Sequence, residues 1–429
     1  MRRICLFFIL FLVTGCQDVP IKTPAQVTTD SITTLSYQTI SSPTATLENI
    51  ATAVNPFLQV QCLPVEDNLP PGLSSDGVLI MQNIKDGLQI SEVYGLDLQT
   101  NKRFLINQPW EDILEGETSP DGKWFLYRRY IWDDSQKKYT KIEIVVASLD
   151  GQSLQLATKI DLPDNPDWSF PNKDLWINNT QLIVRIPDPK SQNVVTSTVL
   201  IWDPFTGSKR IIHPDFPEIY NTGGMVKPNW GYGVALYDPT LTKVFYLTGD
   251  GISSIGYKML DMENNSVMVS DSFFNDFDVP PRWSPNGSRL ALEDYREIYT
   301  IESDGQVNQL THLGDSLNFW SVKNLVWAPN GEYIAFSLWN NPSGDSDKAS
   351  EYVATLAIVD TKTGIVTDTC IPIGDIPTDM FWSPDGTQLV IKDESVKDYN
   401  RLILVDLKQG IAAQIGEFME PFGWMVPQE

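Results

Sequence analysis

Three hydrophobicity regimes follow one another along the chain. An apolar run from Ile4 to Val13 stands behind Arg2 and Arg3, and it is about half the length a membrane-spanning helix needs. From Gln17 to about Asn55 the large apolar residues thin out and Thr, Ser, Pro and Ala take over, as in Ser41-Ser42-Pro43-Thr44. Too little apolar surface remains there to form a core, so the stretch is expected to be a disordered tether. Beyond about Leu69, short runs of aliphatic and aromatic residues alternate with polar turn residues, which predicts many short half-buried strands.

Within this last regime one pattern recurs. It reads Trp283-Ser284-Pro285-Asn286-Gly287, Trp327-Ala328-Pro329-Asn330-Gly331, Trp382-Ser383-Pro384-Asp385-Gly386 and Thr118-Ser119-Pro120-Asp121-Gly122. Proline fixes φ at the second turn position, Asp or Asn takes the third, and glycine stands where φ must be positive. The expected product is a type I turn closed by a left-handed glycine, joining two antiparallel strands. A third strand then runs into a second turn, as in Asp360 to Gly364 and Asp406 to Gly410, and a fourth short strand follows. Four antiparallel strands in about 45–55 residues make one propeller blade.

Weaker copies fill the remainder. Leu175 to Val184 keeps Trp176, with Trp202 to Gly207 as its second turn; Tyr237 to Phe245 is expected to lengthen the first turn by about one residue. Ser74-Ser75-Asp76-Gly77 opens the earliest copy. The count predicts an all-β fold, a seven-bladed β-propeller over residues 56–429, with six or eight blades left open by the weak copies. Pro70-Pro71-Gly72 is unsuited to an inner strand, while Phe422 to Val426 is left over. The C-terminal segment is therefore expected to complete the first blade. The alternative is closure by Phe57 to Val65, which would bring Cys62 toward the last blades.

These W-S-P-D-G repeats resemble the WD40-like (PD40) β-propeller repeats of the TolB C-terminal domain and of prolyl oligopeptidase-type propellers, clearly over four blades and faintly over three. The resemblance implies architecture and says little about activity, because the motif builds a turn and a core position. Thr118 and Tyr237 depart from the expected Trp, and nothing like the separate N-terminal domain of TolB precedes the repeats. At the other end, Val13-Thr14-Gly15-Cys16 resembles the lipobox of bacterial lipoproteins. That resemblance implies a signal peptide over 1–15, cleavage before Cys16, lipidation of Cys16, and a lipidated tether over 16–55; an ordinary secretory signal is the alternative. Several acyl chains would anchor stably, at about 0.8 kcal/mol per buried methylene. The tether would reach roughly 35 Å. The domain is thus expected on the extracytoplasmic side of the cell membrane or elsewhere in the envelope.

Charge narrows the partners. The chain carries 31 basic and 55 acidic residues, a formal net charge of −24, so nucleic acid and anionic surfaces are poor candidates. Membrane contact is expected through the lipid alone, and the chain is expected to be monomeric. With Cys5 in the signal and Cys16 lipidated, Cys62 and Cys370 remain, either as a disulfide in an oxidising compartment or as two separate thiols.

Signals for catalysis are weak. No Gly-x-Ser-x-Gly elbow occurs, and Gly251 to Gly256 has the wrong spacing around Ser253 and Ser254. His213 and His312 are the only histidines, too few for a His-rich zinc site. The acidic runs Asp133-Asp134, Asp161 to Asp167 and Asp345 to Glu351 lack the calcium-loop pattern. No catalytic residue, metal or cofactor is assigned. If both kinds of turn share one face, the opposite face carries the long connections, which suits recognition of a protein, peptide or envelope glycan. Trp132, Phe216, Tyr220, Phe273, Phe274, Phe319, Trp320 and Trp339 are the candidate anchors there, with burial between blades as the alternative for each. The competing functions are a carbohydrate-active hydrolase using paired carboxylates near the central channel and a passive spacer.

Overall fold

Each repeat folds as an antiparallel meander because its turns leave the chain no other course. In the computed structural model, Gly122, Gly287, Gly331 and Gly386 have φ of 69°, 69°, 71° and 71°, a region that disfavours any side chain. The serine opening the turn works twice: Ser119 Oγ donates to Asp121 (2.7 Å) and accepts from Trp124 N (3.0 Å), and Ser284 and Ser383 repeat the arrangement. Asp203, Asp360 and Asp406 cap the second turns by accepting backbone N–H groups two or three residues on. Gly386→Val is expected to cost about 1–2 kcal/mol or more from backbone strain, with a further approach of 3.0 Å between the new Cβ and the Asn330 side chain. An unchanged melting temperature would contradict this turn geometry.

The structure describes residues 57–428 apart from 71–72, 74–76, 86–87, 107–112, 134, 136–137, 151–152, 163–175, 187–197, 213–234, 250–254, 265, 272–280, 295, 316, 318–319, 341–352, 375–378 and 396–399. The signal, the tether and Cys16 lie outside the described residues. Seven sheets form a seven-bladed β-propeller. From inner to outer strand, blade 1 is Met419–Met425, Val78–Lys85, Leu88–Asp97 and Lys102–Leu105; blade 2 is Ile113–Thr118, Phe125–Asp133, Lys138–Asp150 and Ser153–Leu162. Blade 3 shows Leu182–Ile186, Thr198–Trp202 and Lys209–Ile212, with Trp176 bridged to Leu182 on the inner side. Blade 4 is Ala235–Tyr237, Lys243–Gly249, Ile255–Asp261 and Ser266–Asp271; blade 5 is Arg282–Trp283, Arg289–Asp294, Glu297–Glu302 and Val307–Gln309. Blade 6 is Trp320–Trp327, Tyr333–Asn340, Val353–Asp360 and Val366–Pro372; blade 7 is Met380–Trp382, Gln388–Asp393, Arg401–Asp406 and Ile411–Glu417.

The expected longer turn after Tyr237 is not found. Asp238 N bonds Lys243 O (3.1 Å) and Leu241 N bonds Asp238 O (2.9 Å), the same spacing as Ser284 with Arg289 and Gly287. Leu241 occupies the glycine position at φ 59°. Asp238 replaces both the serine and the aspartate, its carboxylate accepting from the N–H groups of Thr240, Thr242 and Lys243. Blade 3 has the shorter turn, with Ile177 N bonded to Gln181 O.

The repeated tryptophan does more than fill a core. Each indole N–H reaches the preceding blade and donates to the carbonyl just before that blade's equivalent position: Trp176 to Glu117 (3.4 Å), Trp283 to Leu236 (3.0 Å), Trp327 to Arg282 (2.9 Å) and Trp382 to Val326 (3.1 Å). Trp424 completes the set by donating to Phe381 (3.2 Å). The C-terminal strand is therefore the inner strand of blade 1, with Trp424 opposite Leu79 and Met425 opposite Val78. Thr118, standing where blade 2 lacks a Trp, accepts from Trp424 N (3.2 Å).

Phe57 to Val65 does not take that inner place. It lies on the outer edge instead: Leu58–Val60 pairs in parallel with Val366 to Asp368 of blade 6, and Val65–Glu66 with Ala412 and Ala413 of blade 7. Cys62 and Cys370 form a disulfide across 308 residues of sequence. Leu73 is then buried with Leu79, Leu402 and Trp424 between blades 7 and 1.

Candidate functional site

The two kinds of turn share one face of the ring. Thr361 N bonds Glu332 O (2.9 Å), Leu407 N bonds Thr387 O (3.1 Å) and Met262 N bonds Thr242 O (2.8 Å), so first and second turns touch within blades 6, 7 and 4. Neighbouring blades are tied there as well. Arg289 donates to Gly331 O and to Thr361 Oγ1, and Asn178 donates to Pro239 O (3.0 Å). This face spends its polar groups on itself.

By the same topology, the opposite face receives the connections leaving Ile186, Ile212, Asp271 and Asn340, all of nine residues or more. Its described part is built of short, well-bonded elements. Glu297 accepts from Thr311 Oγ1 (2.6 Å), Leu313 N (3.0 Å) and Gly314 N (2.9 Å), which holds the single turn Leu313–Asp315. Burial raises the pKa of nearby Asp294, with Arg296 opposing. In blade 7, Asp393 is fully buried and bonded by Arg401 Nε (2.6 Å) and Ser395 N (2.8 Å). Lys392 reaches Glu394 (2.8 Å) and, on blade 1, Glu420 (3.6 Å). Burial alone would lower the Lys392 pKa; the Glu394 bond and the charges of Glu420, Glu394 and Asp379 outweigh it and raise the value.

Blades 2 and 5 carry a glutamate and an arginine at the same repeat position. Glu117 and Arg282 both stand one residue before the position of the repeat tryptophan, and their carbonyls both receive an indole N–H from the next blade. Burial pulls the Arg282 guanidinium down to about 10 while the Glu117 charge pushes it up. No group of three or more His, Cys, Asp or Glu placed to hold a metal ion occurs among the described residues.

Of the candidate anchors, Phe216, Tyr220, Phe273, Phe274 and Phe319 lie outside the described residues, and Trp132 is described only in its backbone, on the second strand of blade 2. Trp320 opens the inner strand of blade 6. Its indole donates to Arg296 O (2.6 Å), and the Arg296 guanidinium lies 5.1 Å over its ring, so the side chain braces blade 6 against blade 5. Trp339 packs against the core shared by blades 6 and 7, with the Lys323 ammonium 5.3 Å over its ring. Its Nε1 is buried and meets no acceptor among the described residues. Trp320 and Trp339 thus stand at the same end of blade 6 but on opposite faces of its sheet, one toward blade 5 and the other toward blade 7, both half-buried. Glu117, Arg282, Lys392, Asp393 and Arg401 were not singled out from sequence. The first two carry a usable signal, because opposite charges occupy the same repeat position in blades three apart.

The fold and this two-faced arrangement define a β-propeller class rather than a particular activity. The sequence matches no protein-family model and no curated protein. Among solved structures it is similar to TolB from Acinetobacter baumannii, at 14% identity over 84% of this chain and 68% of that one, with a TM-score of 0.40. It is also similar to a putative 6-phosphogluconolactonase from Bacteroides uniformis (12%, 82% and 99%, TM-score 0.47) and to an oligogalacturonate lyase in complex with manganese (12%, 81% and 85%, TM-score 0.45).

Proposed function

We propose that the protein is an extracytoplasmic binding or scaffold protein, held to a membrane by a lipid on Cys16, whose long-loop face engages a protein or peptide. An envelope glycan is the other ligand class such a face would serve. The observation that carries this reading is the asymmetry of the ring: one face consists of turns whose donors and acceptors are satisfied within and between blades, while the other receives every long connection between described strands. A rigid ring presenting long, varied loops suits recognition. The acidic balance of −24 suits partners other than polyanions.

The hydrolase alternative requires two carboxylates facing one substrate. Two experiments test the proposal. Cys16→Ser is expected to move the protein from the membrane fraction to the soluble extracytoplasmic fraction; continued detergent-dependent extraction would refute the anchor. The lipid-free domain, residues 56–429, is expected to retain a defined partner from detergent-solubilised envelopes, and failure to retain any protein or glycan above a heat-unfolded control would refute binding.

A further inference from the structure

Residues 57–66 form a belt around the outer rim rather than part of any repeat. The Phe57 ring lies tilted against His312 at the end of blade 5, with ring centroids 4.9 Å apart, and the Phe57 carbonyl accepts from Val366 N (2.8 Å). Leu58–Val60 then lies along the outer strand of blade 6. Gln61 N and Leu63 N continue the pairing to Asp368 O (2.9 Å) and Thr369 O (3.0 Å), and Val65–Glu66 passes to the outer strand of blade 7. The belt is lightly held apart from its covalent bond. Its two strands have three and two residues. Val60 is 66% exposed, and Gln61, Cys62, Pro64 and Glu66 are exposed as well. Besides Phe57, Leu58, Leu63 and Val65 pack partly against the blades. Short, exposed pairings of this kind open locally at small free-energy cost, and a cross-link in their midst is what prevents the opening.

We propose that Cys62–Cys370 is a redox latch on this belt, and that its reduction bares the outer edges of blades 6 and 7 to strand addition by the belt of a second copy of this chain. An exposed strand edge is a template for an extended segment. The segment already seated on these two edges is residues 57–66, so a second copy brings a matching occupant. A dithiol reductant supplies the two electrons. Its thiolate attacks the exposed Cys62 sulfur, the bond to Cys370 breaks, and Cys370 leaves as a thiolate that takes up a proton. The second thiol of the reductant then displaces Cys62 from the mixed disulfide, and the reductant departs as its own disulfide.

The first test is hydrogen exchange on the wild-type chain. Reduction is expected to speed exchange at the Gln61 and Leu63 amides by at least about tenfold while Ile403 and Leu404 in the blade 7 core stay protected; unchanged exchange at Gln61 and Leu63 would overturn the latch. The second test mixes Cys62→Ser with Cys370→Ser, concentrates the mixture under reduction and then reoxidises it. Only belt exchange brings Cys62 of one variant beside Cys370 of the other. Peptide mass mapping is expected to find that link between copies. Its absence, or links joining like variants alone, would overturn strand addition.

Discussion

Trp424→Ala is expected to lower the free energy of unfolding by about 3–5 kcal/mol, the range for deleting a buried large aromatic. Trp424 is 1% exposed and packs with Leu79, Leu96, Val390 and Leu404, residues of blades 1 and 7. Its indole also donates to Phe381 O across the seam where the ring closes. The substitution therefore removes packing and an inter-blade hydrogen bond at the junction joining the C-terminal strand to the first blade. Denaturant unfolding with a lowered midpoint and a preserved slope would match this account. A loss below about 1 kcal/mol would mean that the seam is not closed through this residue.

Arg401→Met is expected to cost about 3–5 kcal/mol, because it strands a charge in the interior. Asp393 is fully buried, and among the described residues Arg401 Nε at 2.6 Å is its one side-chain partner, with Ser395 N supplying the other bond. The pair sits on the two middle strands of blade 7, facing blade 6. Pairing Arg401→Met with Asp393→Leu is expected to recover most of the loss, since an apolar replacement of a buried ion pair is often neutral. A double-mutant cycle reads this directly: strong coupling supports the pair as an interdependent unit, and additive losses would contradict it.

The repeat turns and the blade number were legible in the sequence because their chemistry is local. Gly122, Gly287, Gly331 and Gly386 take the left-handed conformation that their position in Ser-Pro-Asp-Gly demands. The turn after Tyr237 was misjudged because Leu241 accepts positive φ and Asp238 merges two roles, a substitution visible only through its hydrogen bonds. The role of the repeat tryptophan was half legible. Its recurrence marked a core position, but its indole bond runs to another blade, and no spacing within one repeat encodes a contact between repeats. The closing strand was legible, since Phe422 to Val426 stands over after the last blade and does pair with the first strand of the earliest copy; the bond of the Trp424 indole to Phe381 O was not. The belt was the least legible element. Parallel pairing of three and two residues on outer edges leaves no periodicity to read. On the long-loop face, Trp320 and Trp339 are candidates by type and position alone, and their half-burial follows from Arg296 and from the blade 6–7 core.

Site-directed photo-crosslinking in intact cells shows which face of the ring meets a partner. Ser395 is exposed beside the second-to-third strand connection of blade 7, and Asn330 is exposed in the first turn of blade 6. A photoreactive side chain at Ser395 is expected to give a discrete adduct that one at Asn330 does not. Adducts from Asn330 with none from Ser395 would place recognition on the turn face and contradict the account.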